Sequence, residues 1–196
     1  MTFWFDFAST YSYLSAMRIE GMAKAADVAL TWQPFLLGPV FGAQGWDTSP
    51  FNIYPAKGRY MWRDMERISA RRGLAFQRPK APDMFPMNSV KAARLGLLAL
   101  KTPKGPALCR AIFQAQFEQG RDISDDAVLG DCLAHCDLPP RLLADSTAPE
   151  HRPALRAATD RAVALGIFGA PTFEVDGELF WGDDRLGQAF DWAQAE

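Results

Sequence analysis

The first residues of the chain change from an apolar run to a polar cluster. Residues 2–7 are mostly aromatic and predict a buried strand, whereas the apolar positions after Ser9 follow helical spacing. We therefore expect a strand over 2–7 that leads directly into a helix over 10–27, with hydroxyl side chains at the junction. A further apolar run over 28–37 predicts a second strand, and a strand–helix–strand unit favours a parallel pair.

The middle of the chain predicts helices and no strand. Repeated glycine and proline over 38–55 predict a long loop, and long loops in compact domains are often functional. Helical spacing then recurs in four segments: 57–72, 89–101, 106–118 and 124–136. Two more helices are expected after residue 139. We expect residues 40–150 to add no strand to the central sheet.

The C-terminal segment predicts a hairpin and a final helix. Asp176 and Gly177 lie between two apolar runs, which is typical of a two-residue β-turn. Pro171 stands at the start of the first of these strands, where proline is tolerated. Asp183 and Asp184 then predict the N-cap of a last amphipathic helix.

Composition narrows the class of protein mainly by exclusion. The 196 residues are 48% hydrophobic, enough for one core that carries an insert. The net charge of −2 does not suggest a nucleic acid partner. No apolar run reaches the roughly 20 residues that cross a bilayer, and the N-terminus lacks signal-peptide features, so no membrane contact and a cytoplasmic location are expected. The three cysteines do not predict a disulfide framework.

The hydroxyl cluster at the first strand–helix junction is the first candidate site. A helix N-terminus presents unpaired N–H groups and a partial positive charge, and it can hold an anion such as a thiolate. The alternative, which the junction alone favours, is that Ser9 or Thr10 only caps the helix. The segment Ser9-Thr10-Tyr11-Ser12 contains no sulfur, so direct thiol–disulfide exchange is excluded at this junction.

A stripe of arginines on the helix over 57–72 is a second candidate. A solvated face is the favoured interpretation, and the alternative is a field that attracts an anionic small molecule, with Lys57 best placed for contact. The arginines of this stripe are spaced four residues apart, at Arg59, Arg63, Arg67 and Arg71.

A third candidate is a group of possible metal ligands. Cys132, His135 and Cys136 share one helical face at a spacing that metal ligands can use. A structural zinc ion needs four ligands, and the other candidates, Cys109 and His151, lie far along the chain. We predict no metal site, because buried thiols beside a capping histidine explain the pattern more simply.

The two ends of the chain together resemble the thioredoxin fold. The strand–Ser-x-x-Ser–helix start and Gly-Ala-Pro-Thr-Phe at 169–173 resemble its active helix and its cis-proline loop, and the helical middle resembles the DsbA-type branch. The resemblance implies a thioredoxin-like domain formed by 1–38 and 155–196, with an inserted helical domain over 39–154. It also implies a cis Ala170–Pro171 bond across from Ser9.

A narrower resemblance covers the whole chain. Residues 5–14, Phe-Asp-Phe-Ala-Ser-Thr-Tyr-Ser-Tyr-Leu, resemble the start of 2-hydroxychromene-2-carboxylate isomerases, which are related to kappa-class glutathione transferases. Segments 57–61, 85–89 and 181–186 are similar to the same group. The sequence departs from it at Thr10, where proline is common, and at Asp183, where Asn or Ser is frequent. The implied fold is α/β, a thioredoxin-like fold with a large all-helical insertion.

The resemblance implies a glutathione-dependent isomerase of aromatic catabolism that interconverts 2-hydroxychromene-2-carboxylate and trans-o-hydroxybenzylidenepyruvate. Reversible thiolate addition would turn a conjugated double bond into a single bond that can rotate. The implied catalytic residue is Ser9, as hydrogen-bond donor to the glutathione sulfur. The implied glutathione contacts are Asn52, Lys57, Ala170, Pro171, Asp183 and Asp184. The implied contacts to a small aromatic carboxylate are Tyr11, Phe41, Trp46, Tyr54, Phe85 and Asn88.

Two alternatives stay open at the level of the sequence. One is a kappa-class-like glutathione transferase that acts on another electrophile. The other is a redox-inactive thioredoxin-fold protein that binds a peptide or a thiol without chemistry. The resemblance also implies a homodimer.

Overall fold

The chain forms a four-stranded mixed sheet flanked by helices, as described by a computed structural model for residues 1–79 and 84–195. The strands are β1 (Thr2–Phe5), β2 (Thr31–Pro34), β3 (Thr172–Val175) and β4 (Glu178–Trp181). Their order in the sheet is β2-β1-β3-β4, with β1 parallel to β2 and antiparallel to β3, and β3 antiparallel to β4. The predicted parallel pair and C-terminal hairpin are therefore confirmed.

Helices occupy most of the remaining chain. Their bounds are α1 Thr10–Ala16, α2 Ile19–Ala26, α3 Leu37–Gly42, α4 Pro50–Ile53, α5 Pro55–Arg72, α6 Val90–Ala99, α7 Gly105–Phe117, α8 Asp126–His135, α9 Arg141–Thr147, α10 Arg152–Ala164 and α11 Leu186–Gln194. Over 40–150 the described residues contain helices and connections but no strand, as predicted. None of the helices in the part of the chain that the structure describes combines the length and the apolar character that a membrane span requires.

Two helix predictions near the N-terminal end need correction. The helix expected over 10–27 is divided into α1 and α2, with a break at Met17 and Arg18. The loop expected over 38–55 contains α3 and α4. Val40 of α3 is buried in a small core, and Ser49 caps α4 with Pro50 in its first turn, where proline is favoured.

Aromatic side chains of β1 and of the residues directly after it connect the sheet to the helical region. Phe5 packs on Phe113 of α7 with ring centroids 5.7 Å apart, and Phe7 packs on the same ring at 4.9 Å. Trp4 faces the other side of the sheet and meets Phe35 at 6.1 Å, as the alternation of a strand requires. One buried cluster thus includes residues from both predicted domains, and the division at 38/39 and 154/155 stays a prediction.

The start of the last helix also differs from expectation. Asp183 and Asp184 lie in a 3₁₀ turn, and α11 begins at Leu186 without a side-chain cap. The predicted N-cap role is therefore wrong for both aspartates. Asp183 is instead buried, and its carboxylate has partners elsewhere in the chain.

The Asp183 carboxylate joins three segments of the fold. It accepts a hydrogen bond from the Ser15 hydroxyl at 2.9 Å and forms ion pairs with Arg18 at 3.0 Å and Arg72 at 2.7 Å. Arg18 also donates to the Asp183 backbone carbonyl. Because Ser15 lies in α1 and Arg72 ends α5, this cluster connects the first helix, the helical region and the turn before α11.

Candidate functional site

A cavity of about 960 Å³ lies where the end of β1, the loop before β3 and helices α3 to α6 meet. Its apolar wall comes mostly from the helical region, whereas the segment 168–170 and the turn after β4 form the opposite side. Among the predicted site residues, the ones that line it are Ser9, Tyr11, Phe41, Trp46, Asn52, Lys57, Phe85, Asn88, Ala170, Asp183 and Asp184.

Ser9 is held between the first helix and the proline loop. Its hydroxyl accepts a hydrogen bond from the Ser12 backbone N–H at 3.2 Å and donates one to the Ala170 carbonyl at 2.9 Å. Ser9 therefore caps α1, as one interpretation of the sequence proposed, and it also faces the loop from the other end of the chain. The Ala170–Pro171 bond is cis, so its predicted geometry and position are confirmed.

The proline loop is fixed by its neighbours in the hairpin. The Gly182 N–H donates to the Pro171 carbonyl at 2.9 Å, and the Thr172 hydroxyl donates to the Gly169 carbonyl at 2.8 Å. Gly169 lies against the indole of Trp181, where a Cβ atom would collide with the ring nitrogen. The Ala170 backbone is thereby held in place opposite Ser9.

Asn52 presents one polar atom that has no hydrogen-bond partner among the described residues. Its Nδ2 donates to the Phe85 carbonyl at 2.9 Å and to the Thr48 hydroxyl at 3.1 Å. A carbonyl can only accept, so the contact with Phe85 fixes which amide atom is nitrogen. The remaining Oδ1 is an acceptor, suited to an N–H or hydroxyl of a ligand and unsuited to a carboxylate.

Lys57 is the cation at the edge of this cavity. Its Nζ lies 5.2 Å from the centroid of the Tyr54 ring, and within the described residues no carboxylate is in ion-pair distance of it. Tyr54 was expected in the aromatic wall. The structure places it outside the cavity lining, half-exposed and against Lys57.

Gly58 sets how closely α4 approaches α5, and thus where Asn52 lies relative to Lys57. A Cβ atom at Gly58 would collide with the Phe51 carbonyl oxygen. We expect Gly58→Ala to lower the free energy of unfolding by about 1–3 kcal/mol, measured by urea denaturation, because backbone must shift. The control is Gly130→Ala in α8, where a Cβ meets no atom within 4 Å and about 0.5–1 kcal/mol should be gained. Equal stability of the two variants would contradict this packing.

Aromatic side chains line both sides of the cavity. Phe41 and Trp46 pack together at 5.8 Å, and the buried Phe85, which also lines the cavity, packs on Trp62 at 4.8 Å. On the opposite side, Phe168 and Trp181 form a pair at 4.9 Å with about half of each side chain exposed. This second pair was not predicted, although Trp181 belongs to a segment that carried the family resemblance and Phe168 directly precedes another.

Tyr11 and the arginine stripe share one carboxylate. The Tyr11 hydroxyl donates to Asp64 at 3.0 Å, and burial together with the Asp64 carboxylate raises the pKa of Tyr11. Arg67 forms an ion pair with Asp64 at 2.9 Å, and Arg63 pairs with Glu66 at 3.0 Å. These pairs agree with the solvated interpretation of the stripe for Arg63 and Arg67.

Asp6 is a cavity residue that was not predicted. Its side chain is 3% exposed and accepts hydrogen bonds from the Ala8 N–H at 2.9 Å, the Leu37 N–H at 2.8 Å and the Ser89 hydroxyl at 2.6 Å. Burial raises the pKa of Asp6, and these hydrogen bonds oppose the rise. Neighbouring Asn88 lines the cavity and accepts the Val90 N–H through its side chain.

The cysteines lie apart from these residues. Cys109 and Cys132 are buried and Cys136 is partly buried, and burial raises the pKa of Cys132 to about 11. Cys132 and His135 border a separate, smaller cavity. In the described ranges, no three His, Cys, Asp or Glu side chains form a group that could hold a metal ion.

Comparison with known proteins agrees with this architecture. The DSBA-like thioredoxin domain family matches residues 1–190, and the chain belongs to this family. The 2-hydroxychromene-2-carboxylate isomerase of Sphingobium xenophagum is 27% identical over 94% of this chain and 92% of that protein. Glutathione S-transferase kappa 2 of Caenorhabditis elegans is 25% identical over 97% of this chain and 89% of that protein.

A solved structure shows the same fold. The structure of a 2-hydroxychromene-2-carboxylate isomerase superposes with a TM-score of 0.85 at 20% identity, covering 97% of this chain and 92% of that one. The thioredoxin-like fold with a helical insertion is confirmed. At the level of protein class, the relatives confirm the expectation of an isomerase-like enzyme.

Proposed function

We propose that the chain is a glutathione-dependent isomerase of small aromatic carboxylates, of the type that interconverts 2-hydroxychromene-2-carboxylate and trans-o-hydroxybenzylidenepyruvate. The observation that carries this proposal is the 2.9 Å hydrogen bond from the Ser9 hydroxyl to the Ala170 carbonyl inside a large cavity. This hydrogen bond brings a hydroxyl donor next to the backbone that leads into β3, and the two groups together can hold a cysteinyl thiol. The names of the isomerase and kappa-class relatives support the same conclusion.

The residues around the cavity fit the parts of glutathione. Lys57 supplies a cation for a carboxylate, and Asn52 Oδ1 supplies an acceptor for a peptide N–H. The exposed Asp184 suits the γ-glutamyl amine at the turn after β4. Asp183 was expected to share that role, but three side chains already bind its carboxylate, so we assign the contact to Asp184.

The Ala170 backbone and Ser9 would exchange partners when glutathione binds. The single Ser9 hydroxyl proton points to the Ala170 carbonyl in this structure. Turning that proton to the sulfur frees the Ala170 carbonyl to accept the cysteinyl N–H in strand fashion beside Pro171. Because α1 has only seven residues, we assign most of the thiolate stabilisation to this hydroxyl rather than to the helix dipole.

Bound glutathione supplies a thiolate nucleophile, which lets a conjugated double bond rotate by reversible addition. The chain itself orients the two reactants. Phe41, Trp46 and Phe85 provide flat apolar contacts for an aromatic ring, and the helical side of the cavity keeps water from that ring. Tyr11 and Asn88 also lie on this side, near the position proposed for the substrate.

The test is conversion of 2-hydroxychromene-2-carboxylate, followed by ultraviolet absorbance, with and without glutathione. We expect turnover that requires glutathione but does not consume it. Consumption of glutathione into a product would instead indicate a transferase, the activity named for the kappa-class relative. Binding of glutathione without turnover of any electrophile would indicate a binding protein and overturn the proposal.

Lys57→Gln is expected to raise the KM for glutathione by about threefold to tenfold and to leave kcat nearly unchanged. One charge-assisted contact is lost, and its exposed position reduces the effect. Steady-state kinetics with varied glutathione measure both constants. The matched control is Lys24→Gln, in an exposed position on α2 outside the cavity lining. An unchanged KM in Lys57→Gln would remove this residue from the site.

A further inference from the structure

A thiol that binds as a thiolate must give its proton to another group, and the proposed function leaves that group unnamed. Ser9 cannot take it, because its own hydroxyl proton is the one offered to the sulfur. His135 borders the separate smaller cavity, and His151 lies in the 3₁₀ turn Pro149–His151. Among the described residues, the ionisable side chains that line the site are Asp6, Tyr11, Asp47, Lys57, Asp183 and Asp184.

Most of these groups are unsuited to receive a proton near neutral pH. The Asp183 carboxylate is held by two arginines, and the Tyr11 hydroxyl already carries a proton that it donates to Asp64. Asp47 and Asp184 are exposed or partly exposed acids at the cavity edge. These two carboxylates are open to solvent, whereas a group that keeps the proton within the site must be buried.

Asp6 has the geometry of a proton acceptor. Counting partners within residues 1–79 and 84–195, its Oδ1 accepts two hydrogen bonds, from Ala8 and Ser89, whereas its Oδ2 accepts one, from Leu37. Oδ2 therefore has a lone pair left for a proton. All three donor residues line the same cavity as Ser9, and the Ser9 N–H donates to the Asp6 backbone carbonyl at 2.9 Å.

We propose that Oδ2 of Asp6 receives the proton that the thiol gives up when glutathione binds beside Ser9. The S–H bond breaks and an O–H bond forms at Oδ2, so the carboxylate charge is replaced by the thiolate charge and the site keeps the same net charge. The proton returns to sulfur when glutathione leaves. This inference rests on the proposed function and adds to it the residue that holds the proton.

The surroundings of Asp6 favour this exchange. Its side chain is 3% exposed, and this burial raises the pKa of Asp6 from its ordinary value. The groups that face it are the Ala8 N–H at the entry to α1, the Leu37 N–H at the start of α3 and the Ser89 hydroxyl before α6. None of these three titrates, and among the described residues no cation pairs with the carboxylate to hold it ionised.

The test counts protons by titration calorimetry of glutathione binding at mildly alkaline pH, in buffers with different ionisation enthalpies. Wild type should release close to zero protons, because the thiol proton stays on Asp6. Asp6→Asn should release about one more proton per thiol bound, because the amide cannot take it. S-methylglutathione has no thiol proton and should give equal release from both proteins.

Ser89→Ala provides a second variant that keeps the carboxylate if Asp6→Asn does not fold. Loss of this hydrogen bond removes a contact that lowers the pKa of Asp6. Wild type should release the thiol proton only at a pH low enough for Asp6 to be protonated before glutathione binds. In Ser89→Ala this pH should be higher than in wild type. Release of one proton by wild type, or an unshifted profile in Ser89→Ala, would overturn the inference while leaving the glutathione site intact. Absence of glutathione binding in wild type would instead contradict the proposed function.

Discussion

Ser9→Ala is expected to lower glutathione-dependent turnover at neutral pH by about 10²–10³-fold. This is the typical loss of rate when one hydrogen-bond donor that stabilises an anion is deleted from an active site. The activity should partly recover as the pH rises through about 8.5, where a cysteinyl thiol ionises without help. The measurement is a pH–rate profile at saturating glutathione beside wild type. The reason is that Ser9 stabilises a thiolate and does not itself attack carbon.

The matched control for this variant is Ser12→Ala, one turn along the same helix. The Ser12 hydroxyl is buried and has no hydrogen-bond partner among the described residues, so its removal should leave the profile nearly unchanged. Ser9→Ala also removes a helix cap worth about 1 kcal/mol, so the comparison requires folded protein. A Ser9→Ala enzyme equally inactive at every pH would contradict an electrostatic role for the hydroxyl.

Asp183→Asn is expected to reduce the free energy of unfolding by about 3 kcal/mol. Removing one partner from a buried ion pair typically costs 3–5 kcal/mol, and the lower end applies because Arg18 and Arg72 are 29% and 28% exposed. The variant loses the charge that joins α1, α5 and the turn before α11. Urea denaturation, read as the change in midpoint at constant slope, measures the effect.

The neighbouring Asp184→Asn is the matched control for stability. The Asp184 side chain is 75% exposed and lies 3.6 Å from Arg185, so its loss should cost about 0.5 kcal/mol or less. If Asp183→Asn unfolds at the same urea concentration as Asp184→Asn, the arginine cluster does not contribute to the stability of the fold.

Elements with a strong local signal could be predicted from the sequence. The turn at Asp176 and Gly177 is an example, because both residues adopt positive φ, 49° and 88°, as a two-residue hairpin of the mirror-image type requires. The aromatic alternation of β1 likewise matches its two packed faces, since Trp4 lies opposite to Phe3 and Phe5.

The short helices could not be predicted because they depend on distant contacts. With six and four residues, α3 and α4 are too short to show a periodic pattern. Val40 is buried against residues from β1 and α10, and Phe51 approaches Gly58 of the next helix. Glycine and proline were therefore the strongest local signals, and they predicted a loop.

The site could be predicted only in part, for the same physical reason. Ser9 and Ala170 were brought together by resemblance to a fold whose two ends meet. Asp6 was missed, because its partners Leu37 and Ser89 lie 31 and 83 residues away and a single carboxylate in an aromatic strand carries no signal of its own. Asp183 was interpreted as a helix cap, because nothing in the neighbouring sequence indicates that Arg18 and Arg72 pair with it.

The most direct test of the thiolate site is the ultraviolet absorbance of glutathione bound to the protein at neutral pH. A thiolate absorbs where a thiol does not, so wild type should show a thiolate difference band that S-methylglutathione does not produce. In Ser9→Ala the band should appear only at higher pH. Bound glutathione that titrates with the pKa of the free thiol in wild type would contradict the role assigned to Ser9 and the cavity.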